Sequence, residues 1–192
     1  MIDQGALLRR MTGMLEEASI PHMVVGSLAS SFHGEPRQTR DIDIVIDPTS
    51  EALRRFVELL PTDEFYADAE AASEALDRRT SFNIVEIHTG WKVDLIVRRD
   101  RPFSREELGR RVRVGLLGTD ADIATAEDTI IAKLEWATEG ESERQVRNVI
   151  GILETQGDSL DRAYIGRWVR ALGLEDAWAR AEGLADAAEA PR

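Results

Sequence analysis

The sequence predicts an α/β (α+β) fold: a mixed sheet of four to five strands flanked by helices, with a C-terminal helical bundle. Three observations predict it. Apolar segments with strand character, Met23-Val24-Val25 and Asp41-Ile42-Asp43-Ile44-Val45-Ile46-Asp47, alternate with segments of helical period in the first part of the chain. Two further strand-like segments, 81–87 and 92–97, flank Thr89-Gly90 as the arms of an antiparallel hairpin would. From Ala124 onward the pattern is helical throughout.

Taken in order, residues 4–18 form an amphipathic helix with Leu7, Leu8, Met11, Met14 and Leu15 inward, broken at Pro21 before the first strand. A helix over 27–33 leads through Gly34 and Pro36 to the second strand, and 52–60 is helical again. After the hairpin, 112–117 is a candidate last strand, and helices follow over 126–138, 142–155, 161–171 and 174–182. The chain divides into a sheet domain over 1–118, a helical subdomain over 119–182 and a flexible tail over 183–192, with no internal repeat.

Composition bounds the function. At 192 residues the chain can bury a sizeable core as one large or two small domains. No run reaches the ~18 consecutive apolar residues of a membrane span. The start Met1-Ile2-Asp3-Gln4 lacks the basic region and apolar run of a secretory signal, so the sequence predicts a cytoplasmic protein with no membrane partner. The absence of cysteine excludes disulfides, thiolate zinc sites and cysteine nucleophiles. Against 36 acidic residues stand 24 basic ones, and the formal charge of −12 opposes a strong non-specific hold on nucleic-acid phosphates.

Three short patterns carry chemistry. Gly26-Ser27 sits where a strand ends and a helix begins, which leaves backbone N–H groups available to an anion. Alternation in the second strand puts Ile42, Ile44 and Ile46 on one face and Asp41 and Asp43 on the other, with Cα atoms roughly 6.5 Å apart. Two carboxylates that close repel unless a cation lies between them. Mg²⁺ is usually held by one or two carboxylates plus substrate phosphates, so the pair points to Mg²⁺ and a nucleotide. A solvated acidic face on an edge strand is the alternative. The third pattern is Asp94 within Trp91-Lys92-Val93-Asp94-Leu95-Ile96-Val97. A carboxylate in such a run needs a cation, either a metal shared with Asp41 and Asp43 or an ion pair with Lys92 or an arginine. Three converging carboxylates would suit two-metal phosphoryl transfer.

In this order of motifs the chain resembles the nucleotidyltransferase superfamily with a polymerase-beta-like minimal domain. Within it, His33-Gly34-Glu35-Pro36-Arg37-Gln38-Thr39-Arg40-Asp41-Ile42-Asp43 is similar to the string of the bacterial abortive-infection toxin-like branch. The resemblance implies that Gly26 and Ser27 hold nucleotide phosphates and that Asp41 and Asp43, with Asp94, are the catalytic and Mg²⁺-binding carboxylates. Asp94 would help activate the acceptor hydroxyl. The implied activity moves a nucleoside monophosphate from a nucleoside triphosphate to that hydroxyl and releases pyrophosphate. The acceptor is a small molecule, a protein or a tRNA end, the negative charge favouring the first two. The alternative is a non-catalytic nucleotide-binding or toxin–antitoxin module with a cognate antitoxin or toxin as partner.

The resemblance also covers Ala126-Glu127-Asp128-Thr129-Ile130-Ile131-Ala132-Lys133-Leu134, a helix whose Lys133 would face the nucleotide. Independently, Thr125 and Asp128 have capping-box spacing, and Lys133 flanks the Ile130, Ile131 and Leu134 stripe, from which it can simply snorkel. Arg37 and Arg40 flank the acidic pair and would neutralise triphosphate or carboxylate charge. At position 148, where relatives would carry an acid, this chain has Asn148. His33 is either a phosphate-orienting group or a structural hydrogen-bonder, while His22 and His88 are incidental. The arginines at 98, 99, 101, 105, 110, 111 and 113 would meet an RNA end or form a solvated face. Trp136, Trp168 and Trp178 are expected in a helical core.

Overall fold

The protein is described here by a computed structural model, which covers residues 3–140 and 142–189. Its elements in chain order are α1 (Gln4–Glu17), β1 (His22–Val25), α2 (Gly26–His33), β2 (Asp41–Ile46), α3 (Ser50–Leu59), β3 (Phe65–Ala67) and α4 (Ala69–Arg78). They continue with β4 (Ser81–Glu86), β5 (Lys92–Val97), α5 (Pro102–Arg110), β6 (Val112–Leu116) and β7 (Thr119–Ile123). The last α-helices among the described residues are α6 (Ala126–Gly140), α7 (Glu143–Gln156), α8 (Arg162–Leu172) and α9 (Glu175–Glu189).

Two compact units result: one takes residues up to Leu28 together with Gln38–Ala124, the other Ala29–Arg37 together with residues from Thr125 onward. Among the described residues the first holds the strands, in a mixed sheet of order β3-β4-β5-β2-β1-β7-β6. Its centre is β2, antiparallel to β1 and parallel to β5. One face buries Ile42, Ile44, Ile46 and Leu95, all fully inaccessible. On the other face Met23, Val45, Leu108 and Ala124 cluster with Val25 and Ile96. Asp41, Asp43 and Asp94 share that second face by alternation, so the acidic row borders a small apolar cluster.

Among the described residues the sheet has seven strands, not the expected four to five. The two that the pattern missed are β3 and β7. Three residues at a sheet edge are too short to show a period. In β7, Asp120 and Asp122 contradict strand propensity. Asp122 is tolerated because Arg111 and Arg113 hold its carboxylate at 3.2 and 3.5 Å. The β6–β7 turn uses Leu117 and Gly118 at φ +52° and +74°, the two left-handed residues of a tight hairpin, without the Asn-Gly that announces one.

Helix α4 also went unplaced. Asp68 caps it by accepting from the amides of Glu70 and Ala71, and Arg79 ends it in the left-handed conformation.

The second unit is helical. Its core includes Ile130, Ile131, Leu134, Val149, Ile152 and Ile165. Helix α9 runs on through Gly183 to Glu189 rather than ending in a tail, because Ala181 and Ala185 bury one turn apart and alanine favours the helix. Residues 190–192 of the expected tail lie outside the described residues. Trp168 is buried as expected, but Trp136 is 58% exposed and joins no core. Among the described residues no helix is long and apolar enough to cross a membrane.

Candidate active site

Register builds the site in the sheet unit. Val25 pairs with Asp43, Asp43 with Asp94, and Asp94 with Asn83, so one row crosses four strands. Adjacent strands lie about 4.8 Å apart, so Asp43 and Asp94 are side-by-side neighbours on one face. The row begins at the residue before Gly26, which places the strand-to-helix turn beside the carboxylates. Gly26 has φ +67° and opens α2. A Cβ there would lie 2.6 Å from Cγ and 2.8 Å from Cβ of Asp43, closer still to its Oδ2. The Asp43 carboxylate therefore rests on the Gly26 Cα, a position only glycine can supply.

Asp41 stands one row further along, exposed at the start of β2 and paired in register with Lys92. The Thr39 hydroxyl fixes that start, donating to the Asp41 carbonyl at 3.3 Å and accepting from its amide at 3.4 Å. Gln4 Nε2 donates to the Thr39 carbonyl at 3.2 Å. Arg40 is exposed just before the strand. Lys92 Nζ lies 3.1 Å from Asp94 Oδ1, so the ion pair that the sequence left open does form. Lys92 thus meets Asp94 directly and neighbours Asp41 in register. Asn83, beside Asp94, was missed by sequence reasoning. Its signal was an amide set between the buried apolar Phe82 and Ile84.

Among the described residues, no three His, Cys, Asp or Glu side chains gather into a ready-made metal cage. A hard cation does not need one. Adjacent carboxylates at Asp43 and Asp94, with Asp41 at the strand end, are a hard-oxygen donor set. Mg²⁺ characteristically completes such a set with water and substrate phosphates. The residues present fit that group.

Lys133, His33 and Arg37 belong to the helical unit. Lys133 lies on α6 and is 7% exposed, so it is buried rather than snorkelling. The capping pair forms as predicted at the start of that helix. Thr125 Oγ1 donates to Asp128 Oδ2 at 2.7 Å and accepts from the Asp128 amide at 3.2 Å. Asp128, fully buried, also accepts from the Tyr164 hydroxyl. His33 is buried, with its ring edge-on to Phe32 at 5.1 Å between centroids and its carbonyl accepting from Gln156 Nε2 at 2.7 Å. Arg37 is exposed in the segment that follows. Partial burial, then the positive charges of Arg144 and Arg147, push its guanidinium pKa down. In the sheet unit, His22 Nδ1 lies 2.9 Å from the Ile20 carbonyl, and His88 Nδ1 lies 3.2 Å from Glu86 Oε1.

No protein-family model matches the chain and no curated protein matches its sequence. Solved structures do match its fold. ANT(2")-Ia in complex with adenylyl-2"-tobramycin superposes with a TM-score of 0.54 at 15% identity, over 94% of this chain and 97% of that one. An antigenic nucleotidyltransferase-like protein from Paracoccidioides brasiliensis gives 0.53 at 14% identity, over 78% and 74%. The lincosamide antibiotic adenylyltransferase LnuA with bound lincomycin gives 0.50 at 9% identity, over 76% and 93%. At these identities the shared property is the fold: this chain has the nucleotidyltransferase fold.

Proposed function

We propose that the protein is a nucleotidyltransferase that moves a nucleoside monophosphate from a nucleoside triphosphate to an acceptor hydroxyl and releases pyrophosphate. One observation carries the reading: the row that sets Asp43 beside Asp94 and against the Gly26 turn. The fold shared with the adenylyltransferase LnuA and with ANT(2")-Ia, solved with adenylyl-2"-tobramycin, supports it.

In this reading the Gly26 and Ser27 amides and the Ser27 hydroxyl hold phosphate oxygens at the start of α2, where the positive end of the helix favours an anion. Arg40, exposed just before β2, adds positive charge for the triphosphate. Asp41 and Asp43, with Asp94, would hold Mg²⁺, which when bound neutralises phosphate charge. Asp94 accepts the proton of the acceptor hydroxyl as that oxygen bonds to the α-phosphorus. The bond from phosphorus to the bridging oxygen breaks, and its electron pair leaves with pyrophosphate. Lys92 holds the Asp94 carboxylate before substrate arrives. The acceptor is a small molecule, a protein hydroxyl or a tRNA end, and the formal charge of −12 favours the first two.

The same Lys92–Asp94 pair favours a second reading, a binding module of the toxin–antitoxin kind in which that carboxylate is structural. Asp43→Asn separates the two. Transfer should leave the variant folded, with a loss of turnover beyond the roughly 10–100-fold typical of outer-sphere partners. The measurement is release of labelled pyrophosphate with each of the four triphosphates, with and without Mg²⁺, over a panel of acceptors. Full turnover in Asp43→Asn would overturn the catalytic reading.

A further inference from the structure

Asp94 is answered by a lysine, whereas the carboxylate at the far end of the same strands is answered by arginines. Register sets Asp41 beside Lys92 and Asp43 beside Asp94, so four side chains on two neighbouring strands share one face. Lys92 stands opposite Asp41, yet its Nζ lies 3.1 Å from Oδ1 of Asp94. The choice follows burial. Asp41 is exposed at the start of β2, whereas Asp94 is half-buried, loses more of its hydration and gains more from a counter-ion. Three carboxylates against one ammonium leave this face with an excess of negative charge.

The far end of β2 and β5 shows how the chain secures a carboxylate for structure. Asp47, just past β2, takes Arg98 Nε at 2.9 Å and Arg79 Nη1 at 3.4 Å. Arg98 follows β5, its amide donates to the Ile46 carbonyl at 2.8 Å, and its side chain is only 11% exposed. Such planar forks, fixed by burial and backbone, are built to stay. Lys92 is built differently. It is a point charge on a flexible four-carbon stem, and its side chain is 42% exposed. A pair this exposed contributes little to stability, and the ammonium can withdraw into water without any movement of the sheet.

We propose that Lys92 is a displaceable counter-ion of Asp94: a divalent cation entering the acidic row drives the ammonium off, so Lys92 sets how tightly the row takes its cation. The inference rests on the reading of Asp41, Asp43 and Asp94 as a cation site. A carboxylate has lone pairs enough for both partners, so the exclusion comes from charge. An ammonium at hydrogen-bond distance from Asp94 stands within a few ångströms of any cation bound there, and like charges that close repel even through water. The cation's hold is weaker by the work of expelling the ammonium. In return, Asp94 is never left as an unpaired, half-buried anion before the cation arrives.

Calorimetric titration of the full chain with Mn²⁺, without nucleotide, tests it. Lys92→Met should tighten Mn²⁺ binding ~3–10-fold, and Lys92→Gln should do the same if the first variant does not fold. Lys92→Arg, which keeps the charge, should bind no more tightly than the wild type. Arg54→Gln removes a positive charge from the exposed Arg54–Glu58 pair on α3 and should leave binding unchanged. Equal or weaker binding in Lys92→Met, or an equal gain in Arg54→Gln, would overturn the displacement. Asp43→Asn distinguishes that failure from failure of the cation site itself. Binding that falls in Asp43→Asn but ignores Lys92 refutes the displacement alone. No binding by the wild type, or binding that Asp43→Asn leaves intact, overturns the cation site and the displacement with it.

Discussion

Gly26 concentrates the constraints on the candidate site in one residue. Its φ of +67° and its contact with Asp43 each exclude a side chain. Gly26→Ala should therefore cost about 2–4 kcal/mol, combining left-handed backbone strain with overpacking, and urea unfolding would measure it. A loss below about 0.5 kcal/mol would mean that the turn moves away from Asp43 freely. Gly26-Ser27 and Asp41-x-Asp43 were legible because a strand–turn–helix junction and a two-residue period are local properties. The Lys92 partner of Asp94 and the Asn83 neighbour were not. Each depends on which strand or helix packs beside which.

The β4–β5 hairpin shows how one buried carboxylate can organise an element. Glu86 accepts from the Thr89 hydroxyl, from the Thr89 amide at 2.7 Å and from the His88 amide at 3.3 Å. The Thr89 hydroxyl chiefly, with the Thr89 and His88 amides, holds the Glu86 carboxyl below its ordinary value of 4.5. A carboxyl whose folded pKa lies below its unfolded pKa stabilises the fold fully above the unfolded value. That contribution is lost as pH falls through the folded value. Stability of the wild type should thus decline below the ordinary glutamate range, and Glu86→Gln should flatten the decline. Urea midpoints across the acid range test this, and superimposable curves would remove Glu86 as the hairpin's acid-sensitive lock. The hairpin itself was legible from Thr89-Gly90 and its flanking apolar arms. Strand β7 was not, because its Asp122 is accommodated by arginines that the local pattern does not reveal.

For the whole molecule, the charge of −12 sets the conditions under which it works. Self-repulsion at that charge opposes compaction, and salt screens it. The Debye length falls from about 30 Å at 0.01 M to about 8 Å at 0.15 M, so the melting temperature should rise over that range. A melting temperature that falls instead would show that attractive pairs, such as Arg98–Asp47 at 2.9 Å, outweigh the net repulsion. The same charge predicts weak retention on duplex DNA at physiological salt.

By itself the sequence determined the alternation of strands and helices, the helical second half, the glycine turn and the carboxylates that follow it. These are written in periods of two and 3.6 residues and in the special backbone freedom of glycine, which act over a few neighbours. Only the tertiary structure decided that β2 and β5 run side by side with Asp43 opposite Asp94. It also decided that Lys92 answers Asp94, that seven strands join one sheet among the described residues, and that the 33–35 segment lies against α7 at Gly151 and Gln156. Those outcomes depend on pairing between residues distant in the chain, which burial and register select and no local period encodes.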